Sequence, residues 1–155
     1  MAGRIEARLA ELGIVLPKPA APAANYVPWV ISGTQVFVAG QVTIGAKGIE
    51  YVGKLGRDFT VEEGQAAARL CAINLLAQVA SACGGDLDRV TRCLRLGVFI
   101  NCTDDFVEQP KVANGASDLM VAVLGDAGRH ARAAVGSNAL PLGVAVEVDG
   151  VFEIQ

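Results

Sequence analysis

Residues 64–83 constrain the fold more than any other segment, because they follow a helix start signal and carry almost no charge. Thr60 followed three positions later by Glu63 forms a capping box, and Gly84-Gly85 supplies a stop. Arg69 is the only charged residue within the segment. A helix so apolar must be covered over most of its surface, so we expect it to lie across a sheet as the main core element.

Apolar residues that alternate with polar ones predict the strands of that sheet. We expect a hairpin of residues 30–32 and 36–44 around Gly33-Thr34, a short strand at 49–53, a strand at 90–100, and two strands within 132–154. Pro110 opens a second long helix ending at Gly125, and a short amphipathic helix is predicted at about residues 4–12. This order predicts an α+β fold, a mixed sheet of about six strands with the two main helices packed on one face.

Composition limits the class of protein. At 155 residues the chain fits a single domain, residues 1–155, to which the N-terminal helix is an addition. No apolar run reaches the length of a membrane span, and the N-terminus mixes charges with apolar residues, unlike a secretory signal, so we expect a cytoplasmic location. A formal net charge of −3 without a basic cluster argues against a nucleic-acid partner.

The cysteines do not form a metal-binding pattern. Cys71, Cys83, Cys93 and Cys102 lie nine to twelve residues apart with no C-x-x-C, and His130 is the single histidine. We therefore expect no metal site. Thiols in such apolar surroundings are typically small core residues in a reducing compartment.

The predicted sheet has a second apolar face that two helices cannot cover. Phe37, Ala39, Phe99, Ala145 and Val151 project from that face of the predicted strands. Burial against other copies of the same chain is the plainest solution. The pattern alone does not distinguish two subunits from three.

The C-terminal stretch, residues 132–149, places a cation and two carboxylates among apolar residues. Glu147 and Asp149 share one face of the last predicted strand. We expect the turn at Leu140-Pro141 to fold Arg132 back near Glu147. Such an arginine and carboxylate form either a structural ion pair, which is the commoner case, or a functional site.

The same stretch carries a family signature. Arg132, Val135, Leu140-Pro141 and Glu147, spaced R-x-x-V-x-x-x-x-L-P-x-x-x-x-x-E, resemble the C-terminal signature of the Rid family of enamine/imine deaminases, long labelled L-PSP endoribonucleases. The resemblance covers most of the chain after Pro22 and includes Tyr26, Ala39-Gly40-Gln41, Asn74, Gly84, Asp86, Leu87 and Val98-Phe99-Ile100. The sequence departs from it at Ala133 and Ala134, at an apparent insertion over residues 108–111, and in the additional first helix.

This resemblance implies a chorismate-mutase-like, or Rid-like, fold and a homotrimer whose sheets enclose a central barrel with clefts at the subunit boundaries. It also implies roles for four side chains. Arg132 would hold a substrate carboxylate with its planar fork of donors, and Glu147 would place or activate the attacking water. Tyr26 would close the cleft from the adjacent subunit, and Asn114 would face it.

The implied reaction begins with an enamine or imine acid such as 2-aminoacrylate. Water adds to the imine carbon and ammonia leaves, giving a 2-oxo acid, and the resemblance implies neither metal nor organic cofactor.

Two other classes of function stay open. The first is a non-catalytic module that would bind small carboxylates through Arg132 without depending on Glu147. The second is the ribonuclease of the older label, but the sequence has no basic stripe and no histidine pair to support that activity.

Overall fold

The computed structural model describes residues 3–19, 21 and 24–155. The helices are α1 (Arg4–Glu11), α2 (Val61–Ala82) and α3 (Gln109–Leu124). The strands are β1 (Trp29–Ser32), β2 (Gln35–Gln41), β3 (Ile44–Gly45), β4 (Gly48–Ile49), β5 (Val90–Asn101), β6 (Ala131–Ser137) and β7 (Val146–Ile154). A single buried cluster contains residues of α1, β2, α2, β5, α3 and β7, so these elements share one core.

Helix α2 is the central element of that core, as its composition predicts. Its capping box is complete: Glu63 N donates to Thr60 Oγ1 at 3.2 Å, and Thr60 N donates to Glu63 Oε1 at 3.1 Å. The helix ends before Gly84, whose φ of 67° an L side chain would disfavour. Its sheet-facing side is fully buried and rich in small residues, namely Ala67, Ala68, Cys71, Ala72, Leu75, Leu76 and Val79.

The main sheet has five strands in the order β1-β2-β7-β5-β6. All neighbours are antiparallel except β5 and β6, which run parallel and are connected through α3. The predicted mixed sheet and α+β fold are therefore confirmed, and the predicted hairpin turns at Gly33. The predicted short strand near residue 49 does not join this sheet, because β3 and β4 pair only with each other as a separate small hairpin.

The prediction that the last two strands form a hairpin is wrong. Strand β5 lies between β6 and β7, so Arg132 is in register with Leu96 and Glu147 with Phe99. Leu96 faces the buried side and Phe99 the open side, which places Arg132 and Glu147 on opposite faces of the sheet. Asp149 does not pair with Arg132 either. The connection at residues 138–145 is longer than a tight hairpin turn, and it carries the chain past the end of β5.

The two faces of the sheet differ in cover. The helices bury one face, where Val36, Val98, Val148 and Phe152 are inaccessible to solvent. On the other face Phe37 is 45% exposed. Ala145, which was predicted on this open face, is instead fully buried. It precedes β7, and its N–H donates to the carbonyl of Tyr51 at 2.8 Å, so the loop before α2 covers it.

All four cysteines are free and buried, as expected for core residues. Burial raises the pKa of the Cys71 thiol far above its usual range and that of Cys93 to about 12. These two thiols are therefore not reactive at neutral pH. Among the described residues, no helix is long and apolar enough to cross a membrane.

The predicted N-terminal helix is present and docks on the rest of the domain. Ile5 and Leu9 are buried in the common core, and Arg8 Nε donates to the Ala122 carbonyl on α3 at 2.8 Å. The Asp88 carboxylate accepts the backbone N–H groups of Arg4 and Ile5, each at 2.8 Å. An acidic side chain at this end of a helix satisfies unpaired donors and complements the helix dipole.

Asp88→Ala should release α1 while leaving the sheet intact. The two backbone hydrogen bonds hold the pKa of Asp88 below its usual range, so the contact is present above the ordinary aspartate pKa and is lost as the pH falls through the lowered one. Amide hydrogen exchange should accelerate in residues 4–11 of the variant. Asp104→Ala, at an exposed position, is the control. Unchanged protection of α1 in Asp88→Ala would contradict this role.

Candidate active site

Arg132 projects from the edge strand β6 toward the first turns of α3. Its Nη1 donates to Asn114 Oδ1 at 2.9 Å and to Ser117 Oγ at 3.1 Å, and its Nη2 donates to the Pro110 carbonyl at 3.3 Å. Sequence reasoning paired Arg132 with Asn114 in one site, and the structure brings these two side chains together. Ser117 was missed, although it follows Asn114 by three positions and so shares its side of the helix.

These contacts leave part of the guanidinium available. A guanidinium carries five N–H donors, and three are used by α3, so two have no protein partner among the described residues. Arg132 is itself only partly exposed. A cation held in this way presents fixed donors to a small anion, and a carboxylate is the anion whose two oxygens match a donor fork.

Glu147 lies on the open face of β7, in a cavity of about 540 Å³. The cavity is lined by apolar and polar groups that include Tyr26, Pro28, Gly40, Gln78 and Leu142. Tyr26 is 55% exposed at its rim. Tyr26 and Glu147, both predicted for the site, therefore line the same cavity of one chain, although the resemblance implied that Tyr26 comes from the adjacent subunit.

Gly40 makes the space that the Glu147 carboxylate occupies. The pairing of β2 with β7 shifts between Val38 and Gln41, so the strand is irregular at this point. A Cβ at Gly40 would overlap the Glu147 carboxylate. Gly40 lies outside the residues with positive φ, so the requirement here is for space and not for an unusual backbone conformation.

The environment of Glu147 changes its acidity. Burial raises the pKa of this carboxyl, and the nearby Asp149 carboxylate raises it further. Asp149 lies 3.6 Å from Arg95 Nη1 and not near Arg132. A half-buried carboxyl with a raised pKa is suited to accept a proton from water and to return it, which is general acid-base chemistry.

The predicted site residues thus form two separate groups within one chain. We call Arg132, Asn114 and Ser117 the arginine half-site, and Tyr26, Gly40 and Glu147 the glutamate half-site. Two strand spacings, about 10 Å, separate β6 from β7, and the sheet itself lies between the two side chains. No group of three or more metal-ligating side chains occurs in the part of the chain that the structure describes.

The class of protein is a chorismate-mutase-like α+β protein. It has a mixed sheet with two long helices on one face, a partly free arginine on its edge strand and a carboxylate on its open face. A family model described as "YjgF/chorismate_mutase-like, putative endoribonuclease" matches residues 6–152. The chain therefore belongs to the YjgF family, and the resemblance to Rid proteins found in the sequence is confirmed.

Similar proteins cover the whole length of the chain. Protein TCP17 of Trypanosoma cruzi is 53% identical over 99% of this chain and 96% of its own. The Agrobacterium tumefaciens protein Atu1372, of unknown function, is 48% identical with a TM-score of 0.92, covering 97% and 92% of the two chains. A Shewanella oneidensis structure named as an endoribonuclease is 38% identical with a TM-score of 0.94, covering 98% and 100%. RidA from an Antarctic Psychrobacter is more distant, at 26% identity and a TM-score of 0.59 over 88% and 94%.

Glu147→Gln should raise the melting temperature at pH 8 and leave it unchanged in acid. Because the pKa of Glu147 is raised, the folded chain binds this proton more tightly than the unfolded chain does. The ionised carboxylate therefore costs stability above the raised pKa, and the cost disappears as the pH falls below the ordinary glutamate range. Thermal unfolding of both proteins across this pH range measures the difference.

The exposed Glu62→Gln serves as the matched control for removing one negative charge. It should not reproduce the pH-dependent gain. A Glu147→Gln protein that melts lower than the native protein by the same amount at every pH would contradict the desolvation of this carboxylate.

Proposed function

We propose that the protein hydrolyses small enamine and imine acids, of the 2-aminoacrylate type, to 2-oxo acids and ammonia. The observation that carries this proposal is the Arg132 guanidinium, which is held by three hydrogen bonds and keeps two donors without a partner among the described residues. It occupies the position at which Rid-like sequences carry their carboxylate-binding arginine. Membership of the YjgF family and the likeness to a protein named RidA support the same reaction class.

The arginine half-site accounts for binding. A substrate carboxylate in contact with the two unused donors of Arg132 would be held in a fixed orientation, because Asn114, Ser117 and the Pro110 carbonyl already restrain the other side of the guanidinium. Holding the substrate in one orientation contributes to catalysis by removing freedom that the reaction would otherwise have to remove.

The glutamate half-site accounts for chemistry. The enamine first moves a proton to its terminal carbon and becomes the imine. Water then adds to the imine carbon, forming a C–O bond while Glu147 accepts one proton of that water and the C=N electron pair takes a proton from solvent. Glu147 returns its proton to the nitrogen of the resulting carbinolamine. The C–N bond then breaks as the C=O bond forms and the hydroxyl proton leaves to solvent, so ammonia and the 2-oxo acid are the products. The raised pKa of Glu147 favours both halves of this transfer.

A complete site requires two copies of the chain. Arg132 and Glu147 lie on opposite faces of one sheet, so neither can reach a small substrate held by the other in the same chain. We propose a homotrimer in which the arginine half-site of one subunit faces the glutamate half-site of its neighbour. The exposed apolar side chains of the open face, among them Phe37 and Val135, support an interface between copies.

The roles of the two residues should be separable in kinetics. Arg132→Ala removes a charged hydrogen-bond partner worth about 1.5–3 kcal/mol, so 2-oxo acid affinity and turnover should fall together by about 10- to 100-fold. Arg132→Lys should recover only part, because an ammonium lacks the planar fork. Glu147→Gln should still bind a 2-oxo acid, while its rate falls by about 100-fold. Timed 2-oxo acid release from freshly generated imines measures the rates, and calorimetry with pyruvate measures the affinities.

Two results would contradict the proposal in different ways. An unchanged rate in Glu147→Gln removes the general-base role of this carboxylate. No rate above buffer in the native protein, with pyruvate still bound through Arg132, leaves a module that binds small carboxylates without turnover.

A further inference from the structure

Arg132 is the end of a longer chain of hydrogen bonds that the proposed reaction does not use. Ser117 Oγ, which accepts from Arg132 Nη1, lies 2.8 Å from His130 Nε2. The other ring nitrogen, His130 Nδ1, lies 2.7 Å from the Gly128 carbonyl oxygen. The chain therefore runs from the guanidinium through a hydroxyl and an imidazole to the backbone of the turn between α3 and β6.

The chemistry of the two ends sets the direction of every bond. A guanidinium only donates, so Ser117 Oγ accepts from Arg132 and must direct its own hydrogen elsewhere. A carbonyl only accepts, so His130 carries its hydrogen on Nδ1 when it bonds to Gly128. In the neutral ring, Nε2 is then the nitrogen with the lone pair, and it accepts the Ser117 hydroxyl hydrogen. In this arrangement every donor in the chain meets an acceptor within the chain.

The backbone end of the chain is fixed by packing. Gly128 is buried, and a Cβ at this position would overlap the backbone of Met120 on α3. The turn is thus pressed directly against the helix that also carries Ser117. Because the carbonyl that orients His130 and the helix that carries Ser117 are held together, the hydroxyl has little freedom to leave Arg132.

We propose that Ser117 and His130 are positioning residues that orient the Arg132 guanidinium, with His130 held as the neutral Nδ1–H tautomer. Neither residue touches the substrate, and both act through Arg132. Ser117 fixes one Nη1 hydrogen, and His130 keeps the Ser117 lone pair turned toward that hydrogen by accepting the hydroxyl proton. The consequence for ligand affinity rests on the proposed function, whereas the tautomer and the order of the guanidinium can be measured without it.

The tautomer can be read directly, because His130 is the only histidine in the chain. Long-range ¹H–¹⁵N correlation spectra of the full-length protein at pH 8 should show a protonated Nδ1 and an unprotonated Nε2. A ring protonated on Nε2, or a rapidly averaged mixture of both tautomers, overturns the proposal.

The Arg132 side chain provides a second spectroscopic signal. Its Nη1–H correlation, which reports the hydrogens bonded to Asn114 and Ser117, is identified as a guanidinium signal missing from Arg132→Lys. In the native protein we expect a sharp signal that exchanges slowly with water, and in Ser117→Ala a signal that exchanges at least 5-fold faster, since one restraining hydrogen bond is gone. Ser117→Thr keeps a hydroxyl and should restore the native behaviour. Ser81→Ala, at an exposed position on α2, is the matched control and should leave the signal unchanged.

The histidine is tested by a pair of variants of similar size. His130→Gln places an amide oxygen where Nε2 accepts the serine hydrogen, whereas His130→Phe keeps a ring and removes both polar contacts. We expect near-native Arg132 exchange in the glutamine variant and fast exchange in the phenylalanine variant. Equal behaviour of the two variants, or no change in either of them, overturns the role of His130.

Measurements of pyruvate affinity test whether this network acts on the arginine half-site. Ser117→Ala and His130→Phe should each weaken pyruvate binding by about 5- to 10-fold, and the double variant should be no weaker than the worse single one, because both act on the same hydrogen bond. Full additivity of the two changes would contradict a single chain. If the native protein binds no 2-oxo acid, the proposed function fails, while the two spectroscopic signals still decide whether the network holds Arg132.

Discussion

The burial of α2 and α3 against one side of a five-stranded sheet is the constraint on which the rest of the structure depends. Helix α2 carries a single charge over residues 64–83, so it can be stable only under extensive cover, and the sheet supplies it. Both long helices pack against this face. The opposite face keeps partly exposed apolar side chains, and Glu147, the candidate catalytic carboxylate, lies on this face. One-sided cover thus produces both the core and an open surface.

The order of strands then decides where the chemistry can occur. Because β6 joins the sheet in parallel beside β5, Arg132 is brought to the sheet edge beneath α3, where polar groups of that helix hold it. Strand β7 returns on the far side of β5 and turns Glu147 to the other face. A single chain therefore carries the proposed anion-binding group and the proposed proton-transfer group on opposite faces of its sheet. Assembly is the simplest way to combine them, and this is why we propose a site shared between subunits.

Local signals in the sequence predicted most of the fold. The capping box at Thr60, the alternation in β5 and β7 and the proline at the start of α3 each depend on neighbouring residues, and each is confirmed. The position of β6 was predicted wrongly for the opposite reason. Strand periodicity reports which residues share a face within one strand, but it does not report which strand lies beside it. An antiparallel pair with another strand between its members has the same local pattern as a hairpin.

The candidate site was predicted to a similar extent. The family resemblance named four residues for one site, Arg132, Glu147, Tyr26 and Asn114. Arg132 lies beside Asn114, and Tyr26 and Glu147 line one cavity, but Arg132 and Glu147, which were predicted close together, lie on opposite faces of the sheet. Ser117 and His130 were missed because their importance lies in a contact between α3 and the start of β6. Spacing places Ser117 on the same side of α3 as Asn114, but it does not reveal the contact of Ser117 with His130.

Mixing two variants with complementary defects tests the shared site most directly. Arg132→Ala keeps Glu147, and Glu147→Gln keeps Arg132, so unfolding and refolding an equal mixture should create trimers in which some sites combine the two intact residues. Random assembly predicts about one quarter of the native activity, because each complete site needs one particular variant on each side of its interface. Each variant refolded alone should keep only its own reduced activity. Recovery near this level is the predicted result, whereas a mixture no more active than the separate variants would contradict a site built from two chains.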